Sequence, residues 1–164
     1  MRAQTKIYLG LGSNIGNRIE NIKRAVRLIK ADPHFKNVRV SHFYETLPVG
    51  PKQRDFINAV LAAATDMSPV ELLSFAKDAE RSLGRKKRKL KWGPREIDID
   101  ILFFNDIILN SPDLVIPHPA IQERRFVLIP FAEIEGNFKH PILKKSISEM
   151  LSECNGTERV EKIR

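Results

Sequence analysis

Apolar residues recur along this chain with two different periods, and the order in which these periods alternate predicts a mixed α+β fold. Positions 6 to 12 alternate as a strand, and positions 17 to 31 repeat apolar residues at helical spacing until Pro33 ends the helix. Positions 35 to 47 and 55 to 65 are rich in β-branched and aromatic residues, which predicts a second and a third strand. The first part of the chain therefore has the expected order β-α-β-β.

The segment from Ser68 to Glu71 is typical of a helix start. It supplies an N-cap serine, a proline in the first turn and a glutamate for a capping box, so we expect a helix that runs to about Leu83 and ends at Gly84. Positions 97 to 103 return to the alternation of a strand. The order β-α-β-β-α-β predicts a ferredoxin-like fold, an antiparallel sheet with two helices on one face.

The pattern weakens after Phe104. We expect a short strand at 107 to 109, a proline-rich loop at 112 to 119, a helix at 122 to 135 that includes Pro130, and a last helix at 146 to 151. These helices would form a C-terminal helical extension. No repeat or linker divides the 164 residues, which predicts a single domain over residues 1–164.

Positive charge is concentrated in one loop. The chain has a formal net charge of +8, and seven basic residues together with Glu96 give positions 85 to 96 a net charge of +6. A surface that follows a nucleic-acid backbone would spread its Lys and Arg over several elements. One concentrated loop suits a compact polyanion better, although a loop that contacts RNA remains an alternative.

Two aspartates follow this loop on the predicted strand. Asp98 and Asp100 share one face of the strand, while Ile97, Ile99 and Ile101 share the other. The Cα atoms of the two aspartates would lie about 6 to 7 Å apart. A bare Asp-x-Asp favours an edge strand with a solvated polar face. Beside a cationic loop, the pair favours instead the binding of one or two Mg²⁺ ions together with phosphate oxygens.

Several other classes of protein and site lack support. No apolar run is long enough to cross a bilayer, the first six residues lack the features of a secretory signal, and the single Cys154 excludes an internal disulfide, so we expect a cytoplasmic protein. The glycines at 10, 12 and 16 miss the G-x-G-x-x-G spacing, and no P-loop, zinc-ligand or nucleophile motif occurs. These glycines fit a tight turn and a close approach to a ligand equally well.

Four single residues admit two interpretations on sequence alone. His118 lies between two prolines, where a structural hydrogen-bond donor is commoner than a phosphate contact. Trp92 is either a core residue or a support for the loop before the aspartate strand, and the Gly-Pro that follows favours the loop. Phe56 and Phe126 are core candidates by residue type, and a ring-stacking role for them needs an argument from outside the residues themselves.

The segment from Lys91 to Leu102, KWGPREIDIDIL, resembles the hallmark of the 6-hydroxymethyl-7,8-dihydropterin pyrophosphokinase family of the folate pathway. The family implies a ferredoxin-like fold and transfer of the pyrophosphoryl group of ATP to the pterin hydroxymethyl group, with release of AMP. The likeness extends over nearly the whole chain, through Gly12-Ser13-Asn14, Phe43-Tyr44-x-Thr46-x-Pro48-x-Gly50-Pro51, Asp55-Phe56-x-Asn58-Ala59, Glu80 before Gly84-Arg85, and His118-Pro119 to Arg124-x-Phe126.

The resemblance also implies roles for the residues at matching positions. Two Mg²⁺ ions would be bound by Asp98 and Asp100, which with Arg85 and Arg95 form the implied catalytic group. The residues implied to contact ATP are Glu80, Arg85, Trp92, Arg95, Ile101, His118 and Arg124. The residues implied to bind the pterin are Thr46, Leu47, Pro48, Val49, Phe56, Asn58, Asp98 and Phe126, with the two phenyl rings on either side of it. The loops at 48–51 and 85–91 would close over the substrates.

Three positions depart from the family pattern. Lys87 stands where Arg is frequent, which replaces a bidentate fork by a point charge. Phe56 stands where Tyr also occurs, which keeps the ring and loses a hydroxyl. Asp113 stands where a basic residue can help to bind the nucleotide, so Asp113 receives no role.

Two other functions fit parts of the sequence. A nucleotidyltransferase or cyclase with paired aspartates would release pyrophosphate instead of AMP, and an RNA-binding module would use the basic loop and exposed aromatic residues. An RNA-binding module has no need of the aspartate pair beside the loop, and analysis of the products distinguishes the two enzymes. The resemblance favours the pyrophosphokinase. Its partners would be the small molecules ATP and the pterin, with no nucleic acid and no membrane, and we expect a monomer.

Overall fold

A computed structural model describes residues 2–87 and 92–164 of the protein. The middle of the basic loop, positions 88 to 91, lies outside the described residues. The main sheet has six strands, which are β1 (Thr5–Ser13), β2 (Phe35–Val40), β3 (Tyr44–Thr46), β4 (Phe56–Thr65), β5 (Asp98–Phe104) and β8 (Val160–Lys162). A separate two-stranded ribbon is formed by β6 (Leu109–Asn110) and β7 (Val115–Ile116). The α-helices are α1 (Arg18–Ala31), α2 (Pro69–Ser82), α3 (Arg125–Glu135) and α4 (Ile147–Glu153).

The strands of the main sheet are paired antiparallel throughout. β1 lies between β5 and β4, while β2 and β3 both pair with the other edge of β4, and β8 pairs with β3. This arrangement confirms the predicted α+β, ferredoxin-like fold. β8 was not predicted.

The predicted second strand at 35 to 47 is two strands, because Ser41 interrupts the pairing between them. The Ser41 side chain accepts a hydrogen bond from the Val60 N–H at 2.9 Å, while the Ser41 N–H donates to the Val60 carbonyl at 2.9 Å. Ser41 alone thus hydrogen-bonds both the N–H and the carbonyl of Val60. Regular pairing with β4 resumes only at Tyr44.

Helices α1 and α2 pack on one face of the sheet, as predicted. Asn17 caps α1 by accepting a hydrogen bond from the Glu20 N–H, and Ser68 and Glu71 form the predicted capping box of α2. α2 ends at Ser82, and the left-handed conformation just beyond it falls on Gly84, at φ +99°. The core on this face is built from alternate residues of β1, β4 and β5 together with the apolar stripes of both helices, including Ile22, Ile29, Leu72 and Ala76.

Helices α3 and α4 cover part of the second face, which confirms the C-terminal helical extension. α3 begins at Arg125 after a 3-10 turn over Ile121–Glu123, and it contains Pro130 as expected. Ser146 caps α4. The side chains between these helices and the sheet form a cluster rich in aromatic residues, with Tyr8, Phe103, Phe131 and Phe138 at its centre.

None of the helices in the described parts of the chain combines the length and the apolar character required to cross a membrane.

Candidate active site

A cavity of about 500 Å³ lies over the part of the second sheet face that α3 and α4 leave open. Strand alternation explains its position, because Tyr8, Gly10 and Gly12 follow one another on this face of β1. Gly10 pairs with Asp100, and Gly12 pairs with Asp98 on one side and Asn58 on the other. Residues directly opposite each other in antiparallel strands share a face. The predicted site residues that line the cavity are Thr46, Leu47, Val49, Phe56, Asn58, Arg85, Trp92, Arg95, Asp98, Asp100, His118, Arg124 and Phe126.

The floor of the cavity depends on a strand glycine. A Cβ atom at Gly12 would lie 2.7 Å from Asn58 Oδ1 and 3.6 Å from the Phe56 ring. A side chain at this position would therefore displace Asn58. Of the two interpretations of the glycines, the tight turn applies to Gly16, whose φ is +69°. A close approach applies to Gly12, which lies against Asn58 and Phe56.

Carboxylates and guanidinium groups occupy one side of the cavity. Arg85 Nη1 lies 2.6 Å from Glu80 Oε2 and 3.1 Å from Asp98 Oδ1, and Arg95 Nε lies 3.8 Å from the same Asp98 oxygen. Glu80 is buried behind Arg85 and also accepts a hydrogen bond from the Ile99 N–H at 2.8 Å. Glu80 thus connects α2, the start of the basic loop and β5. We call Glu80, Arg85, Arg95, Asp98 and Asp100 the charged cluster.

Three groups at this site have shifted pKa values. Burial raises the pKa of Asp98 to about 7, and the neighbouring Asp100 adds to this shift while Arg85 opposes it. Burial also raises the pKa of Glu80, although the Ile99 N–H and Arg85 favour its ionised form. Burial lowers the pKa of His118, against an opposing effect of the Asp100 charge. Removal from water thus favours the neutral form of all three side chains.

The aspartate pair has the oxygen donors that Mg²⁺ prefers. In the described ranges, 2–87 and 92–164, no group of three or more His, Cys, Asp or Glu side chains is arranged to hold a metal ion. A divalent cation at Asp98 and Asp100 would therefore need further oxygen ligands from water or from a bound phosphate. This donor set fits a cation that arrives with a nucleotide.

The opposite side of the cavity has mostly neutral side chains. Asn58 donates a hydrogen bond to the Thr46 hydroxyl at 2.6 Å, which orients the Asn58 amide. Arg124 lies over two aromatic rings, with its Cζ atom 5.5 Å from the Trp92 ring centroid and 5.6 Å from that of Phe126. This side offers ring faces and an oriented amide to a flat, hydrogen-bonding ligand.

His118 lines the cavity, and its hydrogen bonds are structural. Its backbone N–H donates to the Leu102 carbonyl at 3.0 Å, which attaches this segment to the outer edge of β5. Its Nδ1 accepts a hydrogen bond from the Ala120 N–H at 3.4 Å. The neutral ring then carries its proton on Nε2, where it can donate to an anion in the cavity.

Three predicted site residues do not line the cavity. Glu80 is one layer behind it, Ile101 packs its side chain into the core on the first face, and Pro48 lies outside the lining. Two residues without a role predicted from sequence, Asn14 and Gln53, join the loops around the cavity by hydrogen bonds. The Gly12-Ser13-Asn14 motif was a signal for Asn14. No local pattern marks Gln53.

The chain resembles known proteins over most of its length. Residues 8–136 match the sequence profile described as 7,8-dihydro-6-hydroxymethylpterin-pyrophosphokinase (HPPK). A 2-amino-4-hydroxy-6-hydroxymethyldihydropteridine pyrophosphokinase of Aquifex aeolicus is 43% identical over 148 residues, which cover 90% of this chain and 91% of that protein. The bifunctional protein FolKE of Lactococcus lactis subsp. lactis is 47% identical over 146 residues, which cover 87% of this chain and 42% of that protein.

A solved structure shows the same fold. The crystal structure of Plasmodium falciparum HPPK-DHPS with SDX-DHP superposes with a TM-score of 0.74 at 18% identity, over 93% of this chain and 46% of that one. The chain therefore spans less than half the length of the two multifunctional proteins and nearly the full length of the Aquifex enzyme. On its sequence match and its fold, the chain belongs to the 7,8-dihydro-6-hydroxymethylpterin-pyrophosphokinase family.

Proposed function

We propose that the protein transfers the pyrophosphoryl group of ATP to the hydroxymethyl oxygen of 6-hydroxymethyl-7,8-dihydropterin, as the names of its relatives indicate. The observation that carries the proposal is the division of one cavity into a charged side and a neutral side. The charged cluster suits a cation-bound triphosphate, and the neutral side suits a flat heterocycle. A reaction that joins these two substrates needs both sides in one cavity.

The pterin would bind on the neutral side. The rings of Phe56 and Phe126 line the cavity from β4 and from the start of α3, so a planar ring system can stack between these elements. Asn58, oriented by Thr46, would read the hydrogen-bonding edge of the pterin. Backbone groups of Leu47 and Val49 would complete this side.

ATP would bind on the charged side with two Mg²⁺ ions at Asp98 and Asp100. When bound, these ions would neutralise phosphate charge and lower the pKa of the attacking hydroxyl. Arg85, Arg95 and His118 would contact phosphate oxygens, and Arg124 would reach them from the neutral side, where its guanidinium lies over Trp92 and Phe126. Arg85 would exchange its ion pair with Asp98, 3.1 Å away, for the phosphates.

The reaction would be an in-line displacement. The pterin hydroxymethyl oxygen forms a bond to the β-phosphorus, the bond between that phosphorus and the α-β bridging oxygen breaks, AMP leaves, and the hydroxyl proton passes to solvent. The protein's contribution is alignment and charge neutralisation, because this chemistry needs no covalent intermediate with the protein. The residues that line the cavity can supply both sides without a second chain, so the proposal is a monomeric enzyme with one domain.

Product analysis tests the proposal. The protein would be incubated with Mg-ATP and the reduced hydroxymethylpterin, and the nucleotides would be separated by chromatography. We expect AMP to form in equal amount to the pterin diphosphate, and only when both substrates are present. Release of pyrophosphate would instead support a nucleotidyltransferase or cyclase.

A further inference from the structure

Asn14 lies at the junction of three segments that surround the cavity. It follows the last residue of β1 and is 2% exposed. Its Nδ2 donates hydrogen bonds to Gln53 Oε1 and to the Arg54 carbonyl, both at 2.8 Å. Its Oδ1 accepts a hydrogen bond from the Arg95 N–H at 2.8 Å, and its own N–H donates to the Arg95 carbonyl at 2.9 Å.

A second residue extends this junction. The Gln53 amide that accepts from Asn14 also donates to the Trp92 carbonyl at 2.7 Å and to the Pro51 carbonyl at 3.2 Å. A Cβ atom at Gly50 would lie 2.7 Å from the Trp92 Cβ, so the loop at 47–55 closely approaches the segment at 92–95. Asn14 and Gln53 join these two segments by side-chain amides instead of by sheet pairing.

The joined segments lead directly into the two sides of the cavity. The loop at 47–55 carries Leu47 and Val49 and continues into Phe56 and Asn58 on the neutral side. The segment at 92–95 carries Arg95 and continues into Asp98 on the charged side. The buried side-chain amide of Asn14 has both N–H groups and its carbonyl oxygen in hydrogen bonds. Any other arrangement of its neighbours would leave polar groups unpaired away from water, so this amide fixes one arrangement.

We propose that Asn14 is a positioning residue that fixes the charged and neutral sides of the cavity relative to each other, with Gln53 extending its reach to Trp92. This proposal rests on the proposed function, because it assigns the two sides to the two substrates. Asn14 touches neither substrate. It acts by holding the Arg95 backbone on one side and the Gln53–Arg54 backbone on the other.

Three variants separate positioning from folding. Asn14→Ala removes the three side-chain hydrogen bonds of the junction and leaves only the backbone bond from the Asn14 N–H to the Arg95 carbonyl. Gln53→Ala removes the contact to Trp92 and leaves the Asn14–Arg95 bonds. Asn17→Ala is the matched control, because it removes the cap bond to the Glu20 N–H three residues away and keeps the hydrogen bonds of Asn14 and Gln53. Each variant would be characterised by its thermal midpoint, by kcat and KM for both substrates, by backbone amide exchange and by the fluorescence of Trp92, the single tryptophan.

Asn14→Ala should lower kcat by at least about tenfold and raise the pterin KM by a similar factor, because a displaced Arg95 loses its alignment with the reacting phosphate. Its Arg95 amide should exchange faster. Gln53→Ala should raise the pterin KM and change the Trp92 emission, with the Arg95 amide still protected. Asn17→Ala should lower only the thermal midpoint.

Two results would overturn the proposal. One is an Asn14→Ala variant that resembles Asn17→Ala, with a lower midpoint but unchanged kcat, pterin KM and Arg95 exchange. The other, which applies even where Asn14→Ala does not fold, is a Gln53→Ala variant with wild-type pterin KM and Trp92 emission. If the wild-type protein forms no AMP, the proposed function fails, while amide exchange and fluorescence still decide whether Asn14 holds the two segments together.

Discussion

Two halves of the same sheet face differ in what covers them. In one half, which we call the aromatic half, Tyr8, Phe103 and Phe131 pack together, with the Tyr8 and Phe131 ring centroids 4.6 Å apart. In the other half, which we call the open half, the next positions of the same strands carry Gly10, Gly12 and the aspartates of β5, and the cavity lies above them.

β1 and β5 run through both halves, with one shift in their pairing register between Tyr8 and Leu9, and the residue types on this face change at that boundary. Large apolar rings at alternate positions bury themselves against helices and stabilise the fold. Glycines leave a floor without side chains, and carboxylates removed from water are stable only beside cations, as Asp98 is beside Arg85. The aromatic half therefore stabilises the fold, and the open half can keep a charged cavity that no side chain of the described residues fills.

The largest expected effect is in the open half. Asp98→Ala or Asp100→Ala should lower kcat on the order of a thousandfold, because the variant loses a ligand of the proposed metal ions. Steady-state AMP formation measures this, with circular dichroism as the check that the fold is kept. Near-normal activity in either variant would refute the metal role.

The matching change in the aromatic half should affect stability and leave the chemistry intact. Phe131 is fully buried and contacts Tyr8 and Phe103, so Phe131→Ala should lower the free energy of unfolding by about 3 kcal/mol or more. Urea unfolding measures this value. The kcat per folded molecule should stay near the wild-type value. A loss of kcat as large as that of the aspartate variants would show that the aromatic half also contributes to the chemistry.

Arg95 tests whether the charged cluster acts on the transition state or on bound ATP. Arg95→Ala should lower kcat by about a hundredfold and raise the KM for ATP much less, because its guanidinium would stabilise charge that develops in the transition state. Arg95→Lys serves as the control, since it keeps a positive charge without the bidentate fork. An increase in KM alone would assign Arg95 to ground-state binding.

Phe126 tests the neutral side. Phe126→Ala should raise the pterin KM about tenfold with a smaller change in kcat, because a stacked aromatic pair contributes roughly 1 kcal/mol beyond the area that it buries. Phe126→Tyr keeps the ring and should behave like the wild type. Equal KM values in the alanine variant and the wild type would remove Phe126 from the pterin site.

The smallest expected effect concerns the attachment of α3, which carries Phe126. Glu133 accepts hydrogen bonds from the Tyr44 hydroxyl at 2.6 Å and from the His42 N–H at 2.9 Å. Burial alone would raise the pKa of Glu133, but hydrogen bonds from Tyr44 and His42 hold it below its ordinary value of 4.5. The ionised form therefore stabilises the fold above about pH 4.5, and this stabilisation is lost as the pH falls through the lower, folded-state pKa.

Glu133→Gln should accordingly lower the free energy of unfolding by about 1 kcal/mol at neutral pH, with the difference from the wild type disappearing in acid. Denaturant unfolding at a series of pH values measures this. A difference that is constant with pH would show that the Glu133 charge is not what holds α3 to the sheet.

Much of this arrangement could be predicted because it depends on local sequence. The capping box at Ser68, the alternation around Asp98 and the helical stripe of α1 each arise from neighbouring residues, and the structure contains all three. The basic residues beside the aspartates indicated the chemistry of the charged cluster. Local periodicity therefore predicted the fold, and the run of charge beside the aspartates predicted the charged side of the cavity.

The features that the sequence did not predict depend on contacts between distant parts of the chain. Ser41 ends β2 only because Val60 lies opposite it, and β8 is three residues long and gains its pairing from β3. Asn14 reaches Arg95 across 81 positions. Such pairings follow from the assembled sheet, so neither composition nor period at these positions could have indicated them.

The most direct test of the charged cluster is the binding of Mn²⁺, as a spectroscopic substitute for Mg²⁺, in the presence of an ATP analogue with a methylene group at the α-β bridge. Electron paramagnetic resonance would count the bound ions in the wild-type protein and in the Asp98→Asn/Asp100→Asn variant. We predict Mn²⁺ bound with the nucleotide in the wild type and at least about tenfold weaker binding in the variant. Equal binding in the two proteins would contradict the account.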